Sequence, residues 1–369
     1  MRYQGQAKER QVFELLQIRI SLKNKVTTKQ WSFELLTITL LRKYERGQWQ
    51  SEGAETFPAK IPEGSILWVD VEDPSEQEIA QLTKYFEIED ICLQELDEEG
   101  RRSKIEENEN KVCCYINFPD SEHFTSDAKT TWLTITAGRD WIISVHEGHS
   151  NITCEIYRKI SSHGYSALSL APSTDILLYI FLDLITNEYF LVSDLVHEEL
   201  QRLSNEAGTF FRERPRQINR SFQLEIAKSR DQVLALRKSI GPLREVAGRI
   251  TRGEFAIVSR ATLSRFEDLY DRTISLIEVL DTHREEIHDI GDILINVQTL
   301  TTNNIVRVLT IISAIFLPLT LIAGIYGTNF GRGFFVPGTN SNIGFYVMIV
   351  AMACVAIGLI AVFRRKRWI

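Results

Sequence analysis

Apolar and polar positions alternate in short runs through the first 170 residues: "LLQIRISL", "FELLTITLL", "SILWVDV", "VCCYINF", "WLTITAG" and "DWIISVHE". Runs of this length parted by polar turns predict β-strands that bury at least one face. Two helical stretches lie among them. One opens after Asp73-Pro74, where Ser75 and Glu78 have the spacing of a capping box. Residues 1–170 are therefore expected to form a mixed α/β domain.

From about residue 173 the period becomes helical. Pro215 and Pro242 are expected to break residues 171–250 into a helical hairpin region, and no proline follows from 243 to 317. That gap predicts one long stalk helix over 251–326. Phe266, Leu269, Thr273, Leu276, Leu280, His283, Ile287, Ile290, Leu294 and Val297 recur along it at alternating steps of three and four, a seam for partner helices. Asp271, Glu278, Glu285 and Asp292 mark a second face, each seven residues after the last. Extended further, that face runs through Asn296, Thr299, Asn303, Val306, Thr310, Ser313, Leu317, Thr320 and Gly324, mostly polar or small.

The lower half of this stripe lies in an apolar segment. Residues 308–326, "VLTIISAIFLPLTLIAGIY", carry no charge, and 19 of them rise about 28 Å, close to the ~30 Å of a hydrocarbon core. Residues 344–363 supply a second uncharged span, and the link 327–343 carries only Arg332. Arg364, Arg365, Lys366 and Arg367 in the tail 364–369 adjoin the second span, which predicts cytoplasmic N- and C-termini. The N-terminus "MRYQGQAKERQ" has no apolar signal region, and a plasma (inner) membrane location is expected.

Composition changes little. The chain has 369 residues, a charged fraction of 25% and a formal net charge of −7, ordinary values that conceal the two spans. Its five cysteines show no CxxC pair, and its seven histidines are scattered, so neither set predicts a metal or catalytic constellation. No nucleophile, acid–base pair or phosphate loop marks residues 1–300, which argues against an enzyme on a membrane anchor. A polar face headed by carboxylates on a membrane helix fits a water-filled pore, although small and hydroxylated residues also serve close helix packing. Two spans cannot enclose a pore alone, so the pore reading requires several copies of the chain.

The run "NNIVRVLTIISAIFLPLTLIAGIYGTNF", with a short loop, a second span and a basic tail, resembles the CorA family of divalent-metal (magnesium and cobalt) channels. The likeness extends upstream through "FEDLYDRT", "IGPLREV" and "RRSKIE". It implies an α+β membrane protein: a homopentamer with a cytoplasmic αβα funnel, a stalk helix ending in the pore-lining first span, and an outer ring of second spans. Asn303, Val306, Leu309, Thr310, Leu317 and Thr320 match pore-lining positions, with Ser313 on the same stripe, and Asp292 matches the acid at the cytoplasmic end of the pore. Asp268 and Glu95 match the two halves of an intersubunit regulatory metal site, where Glu replaces the family's Asp.

Gly327, Thr328 and Asn329 stand where the family carries a Gly-Met-Asn filter, so Thr328 is a departure. Five Asn329 carbonyls could accept hydrogen bonds from the hydration waters of Mg²⁺, an ion reluctant to dehydrate. The resemblance thus implies Mg²⁺ as cargo and regulator, with Co²⁺, Ni²⁺ or Zn²⁺ as other cargoes. The expected partners are the chain itself, the bilayer and divalent cations, with no nucleic acid. The loop "GRGFFVPGTNSN" has no carboxylate, more like the zinc-transporting ZntB branch. A proton-coupled Zn²⁺ transporter and a non-conducting metal sensor therefore stay open beside a Mg²⁺ channel.

Overall fold

The computed structural model describes residues 36–43, 49–54, 57, 58, 60–89, 103–121, 124, 130–148, 150–161, 173–212, 219–327 and 342–368. Two compact units divide the chain, one of residues up to 200 with 227–285, the other of 201–226 with 286–369.

The first unit holds a seven-stranded sheet in the order β2-β1-β3-β7-β6-β5-β4. Its strands are β1 (Leu36–Lys43), β2 (Trp49–Ala54), β3 (Ser65–Glu72), β4 (Lys104–Asn108), β5 (Lys111–Pro119), β6 (Thr130–Ala137) and β7 (Trp141–His146). Only the central β3–β7 pair is parallel, with Val69 opposite Ile143. Alternation then sorts the side chains. Leu67, Val69, Val71, Ile143 and Val145 pack on one face against Ile79, Leu82 and Phe86 of helix α1 (Glu76–Phe86). Trp68 on the other face stacks 4.2 Å from Tyr157 of α2 (Asn151–Ser161) and meets Phe181 of α3 (Thr174–Arg212) edge-on at 5.8 Å. Helices thus cover both faces.

Ser75 caps α1: its hydroxyl accepts from the Glu78 amide at 3.3 Å, while the Glu78 carboxylate accepts from the Ser75 amide at 2.9 Å. Strands β2 and β4 have no counterpart among the apolar runs of the sequence. Both are polar edge strands, and "LLQIRISL" lies outside the described residues. Cys114 is a buried thiol whose pKa burial pushes up, partly opposed by Arg249. Cys113 is disulfide-bonded.

Helix α4 (Arg220–Thr251) runs straight through Pro242, against the expected break. Ile240, Leu243, Val246 and Ala247 are buried on either side of the proline, and their packing offsets the lost backbone hydrogen bond. The real interruption comes at 252–259. Gly253 takes φ +71° there, a left-handed value that glycine adopts without steric cost, and Glu254 binds Arg249 and Arg252 at 2.7 Å each. Helix α5 therefore begins at Arg260, not at 251, and continues to Gly327 through Pro318. Within the first unit it is keyed to α3 by Arg272, which donates to Asp183 and, at 2.6 Å, to Asn187, and to α4 by an Arg237–Asp281 ion pair.

Helix α6 (Asn342–Arg365) is the last element. Among the described residues three helices are long and apolar enough to cross a membrane, and burial separates them: 78% of the apolar window of α3 is buried within the protein, against 6% for α5 and 0% for α6. A helix apolar on every side and packed on none needs a nonaqueous surrounding.

Candidate ion pathway and metal sites

Helix α5 presents two faces. All of the seam residues named above are buried except Leu294, which is half-buried, so the 3–4 spacing marks the packed side. Asp271, Glu278, Glu285 and Asp292 are exposed, a line of carboxylates along the opposite side. Asp292 lies 3.8 Å from the His288 imidazole, and its side chain is 63% exposed.

Past Asp292 every stripe position is exposed, from Asn296 through Asn303, Val306, Thr310, Ser313, Leu317 and Thr320 to Gly324. Leu309, flanking the stripe, is also exposed. The threonine hydroxyls of this face are spent on their own helix: Thr299, Thr310 and Thr320 donate to the carbonyls of Ile295, Val306 and Phe316 at 2.7–2.8 Å. Each oxygen therefore turns lone pairs outward, suited to accept hydrogen bonds from the water of a hydrated cation. Leu309, Thr310, Ser313, Ala314, Leu317 and Pro318 line a shallow open concavity. The ring of Pro318 also removes the helix's own donor for the Ala314 carbonyl, adding a backbone acceptor beside that concavity.

Gly327 is the exposed last residue of α5, while Thr328 and Asn329 lie outside the described residues. Asp268 is exposed on α5, one turn above Arg272, and Glu95 lies outside the described residues. Histidines that looked scattered in sequence do meet in one place: the rings of His197 and His283, 86 positions apart, stack at 5.2 Å between centroids. Spacing carries no signal for such a pair. His146, by contrast, belongs to the sheet, where its Nε2 is 3.3 Å from Asp70.

An α/β body followed by two bare apolar helices, the first with a face of outward oxygens headed by carboxylates, is the build of a cation-transporting membrane protein. The family model described as "CorA-like Mg2+ transporter protein" matches residues 63–365. The chain belongs to that family, and is accordingly a divalent-metal cation transporter and not an enzyme. The cobalt/magnesium transport protein CorA of Thermotoga maritima is 25% identical over 305 residues, 82% of this chain and 83% of that one. The zinc transport protein ZntB of Pectobacterium carotovorum is 24% identical over 145 residues, 39% of this chain and 43% of its own. Among solved structures, the complete CorA magnesium transporter of Methanocaldococcus jannaschii superposes with a TM-score of 0.75 at 22% identity, covering 94% of this chain and 100% of the other.

Proposed function

We propose that the protein is a Mg²⁺ channel of the plasma membrane, built as a homopentamer with both termini cytoplasmic, and that it also passes Co²⁺ or Ni²⁺. The observation that carries this reading is the single stripe on α5. One chain exposes one polar face, and only a ring of such faces encloses a water-filled path while hiding it from lipid. Five copies are the number the family likeness brings with it.

In this arrangement Asp292 concentrates cations at the inner end. Asn303, Thr310, Ser313 and Thr320 offer oxygens to the hydrated ion, and Val306, Leu309 and Leu317 narrow the path with rings that dewet when they close. At the outer end Gly327 lets the chain leave the helix, and the Thr328 and Asn329 side chains face the ion. Mg²⁺ keeps its first water shell, so selection by hydrogen bonds to that shell requires no ligand to strip it. Asp268 of one subunit and Glu95 of the next form the regulatory site: cytoplasmic metal holds the closed ring, and its loss leaves carboxylates that repel. Metal can favour closure only by binding the closed state more tightly.

The zinc alternative has one feature in its favour, the carboxylate-free outer loop "GRGFFVPGTNSN". Uptake into liposomes carrying the purified protein separates the readings. Mg²⁺ influx independent of a pH gradient and abolished by Asn329→Ala is the expected result. Influx of Zn²⁺ alone, driven by protons, would move the protein to the zinc reading, and no flux of any ion would leave a sensor.

A further inference from the structure

We infer that the folded C-terminal tail is a docking site for the anionic headgroups of membrane lipids, a collar of cations at the end of α6 that holds lipid phosphate. The tail has a defined turn. The Trp368 amide donates to the Phe363 carbonyl at 2.9 Å and the Arg367 amide to the Arg364 carbonyl at 3.1 Å, the two hydrogen bonds of a Schellman cap. Arg367 occupies the left-handed position of that cap at φ +56°, where glycine is the usual residue. The turn brings the Trp368 ring back onto Phe363, stacked at 5.8 Å between centroids and 17° between planes.

This turn fixes the depth of the charges. The apolar window of α6 has 0% of its residues buried within the protein, so lipid is its surrounding. Tryptophan, apolar in body and polar at its N–H, settles at the headgroup level of a bilayer. With Trp368 pinned to the last apolar residue of the helix, Arg364, Arg365, Lys366 and Arg367 stand at the depth of the lipid phosphates. Arg364, Arg365 and Lys366 succeed one another at about 100° around the helix axis and so present their charges on different sides. All four side chains are exposed, and among the described residues none is paired with a carboxylate.

The residue types fit phosphate. Guanidinium groups bind phosphate oxygens through two parallel hydrogen bonds, and three of the four cations are arginines. A run of four cations directly after a span attracts the anionic lipids of the facing leaflet. Orienting the chain requires only the charge, whereas an arginine in the usual glycine position, within a turn that anchors an interfacial ring, sets that charge at one depth. The inference rests on α6 lying in the bilayer, and not on the ion carried or the number of copies.

Trp368 makes the test selective, since it is the only one of the six tryptophans outside residues 31–141. The full-length protein is reconstituted into vesicles of equal parts phosphatidylcholine and phosphatidylglycerol, with quenching bromines on the acyl chains of one lipid or the other. Stronger quenching of tryptophan fluorescence by brominated phosphatidylglycerol is expected, corresponding to a preference of at least about fivefold, the worth of one engaged cation. Combining Arg364→Gln, Arg365→Gln, Lys366→Gln and Arg367→Gln should bring the preference close to one. Because that variant can insert differently, molar salt supplies a second reading on the unaltered chain, where the preference should shrink as the Debye length falls to about 3 Å. Millimolar inorganic phosphate should leave it intact. Equal quenching by the two lipids, or a preference that survives both neutralisation and salt, overturns the inference. A preference erased by inorganic phosphate would assign the collar to a soluble anion and overturn it too. Quenching by neither lipid would overturn the membrane placement of α6, and this inference with it.

Discussion

Asp175 shows how much one side chain can organise. Its carboxylate accepts from the Ile176 amide at the start of α3 and from the Ser259 amide just ahead of α5, at 2.9 Å each, while only 2% exposed. Burial alone raises its pKa, but the hydrogen bonds from Ser173, Ser259 and Thr262 outweigh that and hold it below the ordinary carboxylate value. A depressed folded-state pKa contributes stability that is present above the unfolded value of ~3.9 and lost as pH falls through the folded value. Asp175→Asn should therefore cost about 1–3 kcal/mol near neutral pH, the loss of hydrogen bonds to a charged acceptor. Thermal unfolding of the detergent-solubilised protein checks this, and the gap between variant and parent should narrow on acidification below that range. A constant gap at every pH would place the stabilisation elsewhere.

Residues were legible from the chain in proportion to how local their partners are. The Ser75–Glu78 cap is a four-residue event and follows from spacing alone. The hydrogen bond from Trp68 Nε1 to Ser144 at 3.0 Å joins residues 76 positions apart, and the His197–His283 stack is as remote. No periodicity reports such pairs, because each depends on which strands and helices become neighbours.

At the scale of elements, strong periodicity predicts the structure and weak periodicity does not. The α5 seam of apolar positions is buried as the 3–4 spacing requires, and β1, β3, β5, β6 and β7 coincide with the alternating runs. The edge strands β2 and β4, "WQSEGA" and "KIEEN", owe their shape to pairing with β1 and β5 and offer no apolar alternation to find. Proline misled in the other direction. Pro242 sits inside α4 because packing on both sides outweighs one missing hydrogen bond, while the 252–259 break carries a glycine and no proline. Hydropathy alone also cannot separate α3 from α5 and α6; burial does, because α3 spends its apolar surface on its own protein.

At the scale of the whole molecule, two bare apolar helices and a stripe that one chain cannot close both call for a membrane and further copies. The gating proposed for the assembly is separable from conduction. Asp268→Ala should leave Mg²⁺ uptake by proteoliposomes intact at low internal Mg²⁺ and remove the inhibition that high internal Mg²⁺ imposes. Inhibition unchanged in that variant would exclude Asp268 from regulation, whatever ion is carried. What the chain could not reveal at this scale follows from the same physics, since Asp268 and Glu95 are proposed to meet only between subunits and no intrachain pattern records that meeting.

The central claim is that one face of α5 lines a cation path, and thiol block along the helix tests it most directly. Single cysteines at Thr310, Ser313 and Thr320, and at Ile315 and Leu319 on the far side, would be placed in a protein lacking its own cysteines. Mg²⁺ uptake would then be measured before and after a membrane-impermeant thiol reagent. Uptake blocked at 310, 313 and 320 and untouched at 315 and 319 is the pattern the stripe predicts. Equal block at all five positions, or block confined to 315 and 319, would contradict it.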